Sequence, residues 1–356
     1  QGELINRENL SKCIYAAIDI NNGDIFREEM FEIKSPGQGL SPQYINDLVG
    51  KKSKRQIKAH NPIFKSDYTK IVYPKKTYDF NRKWAIPIRY HDINNMLEAT
   101  TPEMVEFHMS YNDLNLNPEQ YLIKKHTCEF IVHAPELFEN DHLLDLCTND
   151  DTYRNKSLDH LRRVVDVTLN IKNFFPNTEI PKIILNCGGF SRDHFLSINE
   201  RDSLYSNLEV SLEKFKSFPV EFIPQNMAPF PWHFGGQRFQ NLFINAEEII
   251  KFCNENKMQI CHDISHSHLA CNYFKWDHSE YIRKLGSVTS HFHLADASGI
   301  DGEGLQIGDG TVDFKKILQI IDKEIPNVSF IPEIWQGHKN GGEGFWIALN
   351  KIEGKI

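Results

Sequence analysis

The stretch HFHLAD at 291–296 places two imidazoles where an extended chain would turn them the same way. Side chains alternate along a strand, so His291, His293 and Ala295 share one face while Phe292, Leu294 and Asp296 share the other. An imidazole pair on the inward face has three uses: metal ligation, proton transfer, or a hydrogen-bonded packing role. The same arrangement, an apolar run closed by a polar or ionisable group, recurs along the chain. Eight such runs end near His91, His108, His133, Asn186, Gln225, Asp263, His293 and Glu333. One buried histidine satisfied by the backbone is the commoner case, but eight polar endings in register exceed what packing asks for.

These endings fall on the elements that must position them. The strand candidates are WAIPIRY, MVEFHMS, CEFIVHA, KIILNCG, VEFIPQN, MQICHDI, VTSHFHL and VSFIPEI. Between most of them lie amphipathic stretches such as SLDHLRRVVDVTLNIKNFF, NAEEIIKFCNEN and FKKILQIIDKEI, the first two crossovers being the least clearly helical. Eight strands alternating with helices over about 270 residues predict an α/β fold, a (β/α)8 TIM barrel, whose chemistry sits at the C-terminal strand ends. Carboxylate, imidazole and amide groups meeting there suit one divalent metal, Mn, Zn, Co or Mg, and Asp263 with Glu333 offset its charge. Of the HFHLAD pair, His293 reads as a ligand and His291, two residues deeper, as a packing or ligand-supporting histidine. Asp296 lies beyond the strand and is read as orienting substrate. His108 and His133 are read as substrate contacts, as are Trp232 and Arg238 in the loop PFPWHFGGQRFQN and His338 in GHKNGGEGFW. Aromatic faces suit sugars, and cationic groups suit a phosphate or carboxylate.

Composition narrows the class. The chain has 356 residues, 40% hydrophobic and 25% charged, with a formal net charge of -8. Its one short basic run, KKSKR at 51–55, is too small for a phosphate-binding surface, so no nucleic-acid partner is expected. No apolar run of 18 residues occurs, so no membrane partner is expected either. Seven cysteines, an odd number without a CxxC, read as reduced thiols in a cytoplasmic protein. The opening QGELINRENL begins abruptly in polar sequence and suggests that something lies upstream. A homo-oligomer is expected.

The first 68 residues read as a separate small module of strands and turns. CIYAAIDI alternates, NNGD marks a turn, and SPQYINDLVGK reads as a short helix capped by Ser41, with Pro42 in its first turn and Gly50 closing it. The order GD turn, PGxG loop and helix ending in GK resembles the antifreeze-like (SAF, β-clip) domain at the C-terminus of sialic acid synthases. That family has an arginine just before the PGxG loop, reaching a neighbouring subunit's sugar; here the place is taken by Ser35. Whether the module contacts substrate or only mediates assembly stays open. Residues 69–83 read as a linker and 84–356 as the barrel.

The barrel resembles the xylose-isomerase-like sugar phosphate isomerase/epimerase superfamily, most strongly from residue 220 onward. The resemblance implies a metal held from the ends of strands 5 to 8 by Gln225, Asp263, His293 and Glu333, with Glu333 as catalytic base. It also makes His266, in DISH, a substrate-contacting catalytic residue. GDGTVDF (308–314) looks like that family's glycine turn before helix 7. The epimerases have a glutamate where Gln225 stands, so two-base epimerisation is not expected, whereas one-base isomerase, lyase or dehydratase chemistry remains open. Together the two resemblances imply a metal-dependent sugar or sugar-phosphate isomerase-type enzyme of sialic or other nonulosonic acid biosynthesis. On this reading the chain is the C-terminal part of a sialic-acid-synthase-like polypeptide. The alternatives are a non-catalytic sugar-binding or assembly domain of an N-acetylneuraminate synthase, a complete condensing synthase, and an endonuclease IV-like AP endonuclease.

Overall fold

The computed structural model describes residues 12–37, 39–233 and 236–356, apart from the side chains of Trp232 and His233. The chain divides between Tyr73 and Pro74 into two compact units.

In the first unit, β1 (Cys13–Ala16) pairs antiparallel with β2 (Phe31–Lys34). Ile14, Ala16, Ile20, Phe26, Met30, Leu48, Ile57 and Ile63 form its core. The NNGD turn closes as its residues dictate, with Gly23 at φ +92° and the Asn21 N–H donating to Asp24 Oδ2 at 2.8 Å. The helix is a single 3-10 turn (Pro42–Tyr44) running into Ile45–Leu48, and Ser41 makes no side-chain cap, a correction to the sequence reading. Gly50 does stand at φ +84°, just past the helix end.

The second unit is the barrel. Its strands are β3 (Ala85–Ile88), β4 (Met104–His108), β5 (Glu129–His133), β6 (Lys182–Leu185), β7 (Glu221–Pro224), β8 (Ile260–Asp263), β9 (Thr289–Leu294) and β10 (Ser329–Pro332). Each falls within one of the eight apolar runs of the sequence. Parallel pairing runs β3-β4-β5-β6-β7 and β8-β9-β10, and single bridges at Gln225–Cys261 and Trp84–Phe330 close the ring. Inward residues Ala85, Met104, Ile131, Ile184, Ile223, Cys261 and Ile331 fill the lower barrel as one apolar layer.

The crossovers vary for reasons visible in the sequence. Helix α1 (Ile93–Ala99) is short, and the next crossover holds only 3-10 turns at Asp113–Asn115 and Pro118–Gln120. Both lack a long amphipathic repeat. Longer helices follow: α2 (Asp151–Lys172), α3 (Ile198–Glu213), α4 (Ala246–Asn256), α5 (Ile264–Phe274), α6 (His278–Leu285), α7 (Phe314–Glu324) and α8 (Lys339–Glu353). Six of these seven begin at a side-chain N-cap, from Asp150, Ser197, Asn245, Asp263, Asp277 or Asp313.

The segment read as a linker over 69–83 is in part barrel. Phe80 packs edge-on against Phe330 at 5.0 Å, and Tyr78 against Trp84 at 5.1 Å. Arg82 donates to Asp322, to the Ile321 carbonyl, which also accepts the Ile325 N–H, and to the carbonyls of Ile325 and Val328 just beyond α7. Arg82→Ala should therefore cost about 1–3 kcal/mol by leaving the Ile325 and Val328 carbonyls without that donor, read as a lower denaturant midpoint. Arg82→Lys should recover only part, because an ammonium lacks the planar fork.

Candidate metal centre

Four side chains converge at the ends of β7, β8, β9 and β10. Gln225 Nε2 lies 3.2 Å from Asp263 Oδ2 and 3.1 Å from His293 Nδ1. Glu333 Oε2 lies 2.7 Å from the same Nδ1, and Asp263 Oδ2 is 3.9 Å from it. Gln225, Asp263 and His293 are buried, whereas the Glu333 side chain is 28% exposed and faces the open end.

Local sequence fixes each position. Asp263 ends β8 and N-caps α5, its Oδ1 accepting the His266 N–H at 2.7 Å. Its other oxygen is thereby aimed at Gln225. Asn226 straps the two strands together: its Oδ1 accepts the Asp263 N–H at 2.6 Å, and its Nδ2 donates to the Asp263 carbonyl at 3.0 Å.

Deeper in the barrel lies a group that the sequence reading did not include. Glu106, mid-strand in β4 and fully buried, sets Oε1 at 2.7 Å from His108 Nε2 and 3.1 Å from His293 Nε2, and Oε2 at 2.9 Å from His291 Nε2. The signal was the strand's alternation, which puts Met104, Glu106 and His108 on one inward face. Oε1 of Glu106 and Nε2 of both His108 and His291 lack a directed hydrogen bond despite these separations. Charge, more than aligned hydrogen bonds, therefore holds this cluster.

Electrostatics follow from the geometry. Burial opposes a charge on His293, but the Cys261 sulfur and the Glu333 and Glu106 carboxylates outweigh it and hold the imidazole well above its ordinary range. Burial likewise resists ionisation of Glu106 and Glu333, and the neighbouring histidines overcome it, so both sit below the usual carboxylate range. Asp263 is pushed up to about 7 by burial, against the opposing pull of His266. His266 is raised to about 10, burial being outweighed chiefly by Asp263 and by Glu303, whose Oε2 lies 3.4 Å from its Nε2.

Among the described residues, two clusters have the ligand types and spacing for a cation: Glu106, His291 and His293 in the sealed interior, and His133, His293 and Glu333 at the mouth. The mouth cluster has an entry path and the carboxylates of Glu333 and Asp263, so its donor set fits a divalent cation better. The Gln225 amide supports that fit. His133 Nδ1–H donates to the Ala134 carbonyl at 3.0 Å, leaving its Nε2 an acceptor, and Gln225 Oε1 faces it at 3.2 Å. Turning the amide over pairs its NH2 with His133 and aims its oxygen at Asp263 and His293, where a cation would sit.

The other sequence candidates fall as follows. His108 and His133 stack at 5.1 Å, and both flank His293, at 6.1 and 5.7 Å. His291 donates or accepts at Ser329 Oγ, 2.7 Å from its Nδ1, below the mouth. Asp296 takes a different role from the one expected. Its Oδ1 accepts N–H groups of Ala297 and Val312 and its Oδ2 that of Gly308, so it anchors the 308–312 turn. Gly308 is at φ +86°, and a Cβ at Gly310 would lie 2.4 Å from Asp296 Oδ1, which accounts for the GDG sequence. His91, with its side chain 68% exposed, pairs only loosely with Asp92 at 3.9 Å and does not join the barrel-end groups. His338 is grouped electrostatically with Arg89, Lys339, Asp92 and His91 at the β3 end of the rim. Arg238 bonds through its backbone N–H to the Pro231 carbonyl and lies near Tyr153, apart from the four converging groups. The Trp232 side chain lies outside the described residues.

The chain belongs to the xylose isomerase-like TIM barrel family, matched over residues 97–348, and carries a SAF domain at 11–69. Within that class, the barrel resembles a D-tagatose 3-epimerase-like protein with a TM-score of 0.55 and 18% identity, covering 76% of this chain and 95% of the other. It also resembles an L-ribulose 3-epimerase (TM-score 0.51, 12% identity, 77% and 93% covered) and a probable 3-DHS dehydratase of Bacillus anthracis (TM-score 0.51, 14% identity, 76% and 98% covered). At these identities the likeness is one of fold. In sequence, 58 residues are 34% identical to a pseudaminic acid synthase of Campylobacter jejuni, spanning 16% of this chain and 17% of that protein. A synthase from a second strain matches over 66 residues at 29%, or 19% of its length. The match thus spans less than a fifth of these curated relatives.

Cation binding at the mouth must displace the proton that Glu333 holds on His293 Nδ1. The protein without metal should bind Mn or Zn more tightly as pH rises, by up to tenfold per unit while His293 stays protonated, as read by titration calorimetry between pH 5.5 and 8. His293→Ala should abolish the binding, whereas His291→Ala should leave binding within a few-fold and lower the melting temperature.

Proposed function

We propose that this chain is a metal-dependent enzyme of the sugar or sugar-phosphate isomerase type, using one divalent cation at Gln225, Asp263, His293 and Glu333. The observation that carries the reading is the approach of Glu333 Oε2, Asp263 Oδ2 and the Gln225 amide to His293 Nδ1 at the barrel mouth. The similarity to a D-tagatose 3-epimerase-like protein and an L-ribulose 3-epimerase agrees with a sugar-like substrate.

When bound, the cation would polarise a carbonyl or hydroxyl oxygen of the substrate. Glu333, ionised and partly open to the mouth, is the group that takes a proton from carbon and returns it. An amide cannot exchange protons in this way, so Gln225 serves only to ligate and to orient. His266 faces the same end of the barrel, with Nδ1–H on the Asn226 carbonyl at 2.9 Å and Nε2 3.4 Å from Glu303 Oε2, a contact that a substrate oxygen would share or replace. His108 and His133 form a ring-lined wall against which a sugar face can lie. One carboxylate base favours isomerisation or elimination over two-base epimerisation.

The SAF domain and its likeness to pseudaminic acid synthase support a place in nonulosonic acid biosynthesis, supplying or modifying the sugar that a synthase condenses. Gln225 also favours a second reading, a sugar-binding or assembly domain without turnover.

The deciding experiment incubates the metal-loaded protein with phosphorylated and N-acetylated aldoses and ketoses and follows isomer formation by NMR. Turnover by the wild type, reduced about 10²–10⁴-fold in Glu333→Gln with the fold retained, is the expected result. Binding of sugar without turnover would favour the second reading.

A further inference from the structure

The four groups at the mouth carry only two carboxylates, Asp263 and Glu333, and the third charge of the barrel end lies behind them. Glu106 is fully buried, with His108, His291 and His293 all turned towards it. A carboxylate in such a place is costly unless its neighbours hold it, so its presence calls for a use. Its contact with His293 is with Nε2, at 3.1 Å to Oε1 and 3.3 Å to Oε2, while the opposite nitrogen, Nδ1, faces Glu333, Gln225 and Asp263. A carboxylate that only accepts hydrogen bonds requires Nε2 to carry the hydrogen. That leaves Nδ1 as the nitrogen with a lone pair to offer.

We propose that Glu106 is the positioning residue of the cation site: it fixes His293 in the Nε2–H form with Nδ1 turned to the mouth, and through that imidazole its negative charge strengthens cation binding at Gln225, Asp263 and Glu333. The inference rests on the reading that the mouth takes a cation. Carboxylate behind a metal-bound imidazole raises the ring's basicity and fixes its orientation. Here it also adds a charge to a donor set in which one position is a neutral amide. Glu106 does not itself bind the cation: it lies on the sealed side of the His293 ring, whose other edge faces the mouth.

The charge component has a distinctive test, because Gln225 can be made to carry the same charge on the opposite side of the imidazole. Mn(II) binding to metal-stripped protein is measured for the wild type, Glu106→Gln, Gln225→Glu and the double variant. Glu106→Gln should weaken binding by about 10–100-fold, and Gln225→Glu in that background should restore it to within a few-fold of the wild type. A merely structural role would not be rescued by a carboxylate placed across the ring. Unchanged affinity in Glu106→Gln, or a loss that Gln225→Glu does not repair, overturns the proposal while leaving the mouth site intact. Two equivalents of Mn(II) in the wild type, falling to one in Glu106→Gln, would make Glu106 a ligand and also overturn it. If the wild type takes up no Mn(II), Co(II) or Zn(II), the underlying reading fails and the inference with it. Should Glu106→Gln not fold, nitrogen NMR of His293 in the Zn(II)-loaded wild type decides: a hydrogen on Nε2 with Nδ1 shifted by metal supports the proposal, and the reverse pattern overturns it.

Discussion

His293 stands between two carboxylates, and much of the barrel end follows from that placement. Glu106 lies behind its Nε2 and Glu333 before its Nδ1, so one imidazole links the sealed interior to the open mouth. The buried Glu106 carboxylate would not be tolerated so deep without a compensating charge. Without a cation the imidazole supplies that charge by holding a second proton. With a cation at the proposed site, the proton would leave Nδ1 and the cation would take its place. The site is therefore prepared for a positive charge in either state.

The surrounding elements serve this arrangement by limiting how its members can move. Asp263 is fixed from two directions, as N-cap of α5 and through the Asn226 strap to β7. The 308–312 turn is tied by Asp296 to the segment that follows β9. Glu333 is the least enclosed of the four mouth groups, which suits the role proposed for it. The apolar layer below, from Ala85 to Ile331, seals the barrel under Glu106 and keeps the interior dielectric low, which lengthens the reach of each charge.

Much of this was legible in the sequence because parallel barrel strands, buried on both faces, read as short apolar runs, and a polar group closing such a run stands out. The eight strands were found that way, and Gln225, Asp263, His293 and Glu333 meet in space as their positions at strand ends implied. Glu106 escaped notice because it sits inside a run rather than at its end, although alternation with Met104 and His108 marks it as inward. Asp296 was misjudged for a different reason. Its carboxylate is used up by three backbone N–H groups of a local turn, which its position beyond a strand end does not reveal. His91 shows the limit of counting endings, since three residues past β3 its side chain is free to turn to solvent. The linker came out too long because aromatic residues flanked by lysines, such as Tyr78 and Phe80, look polar in composition while packing on the barrel.

The most direct test of this account is the metal content of the protein purified without chelator or added metal, alongside His293→Ala. The account predicts about one equivalent of a divalent metal per chain, or uptake of one on titration, lost in the variant. A wild type that neither carries nor takes up Mn, Zn, Co or Mg would contradict it and leave the barrel end a histidine–carboxylate network without a cation.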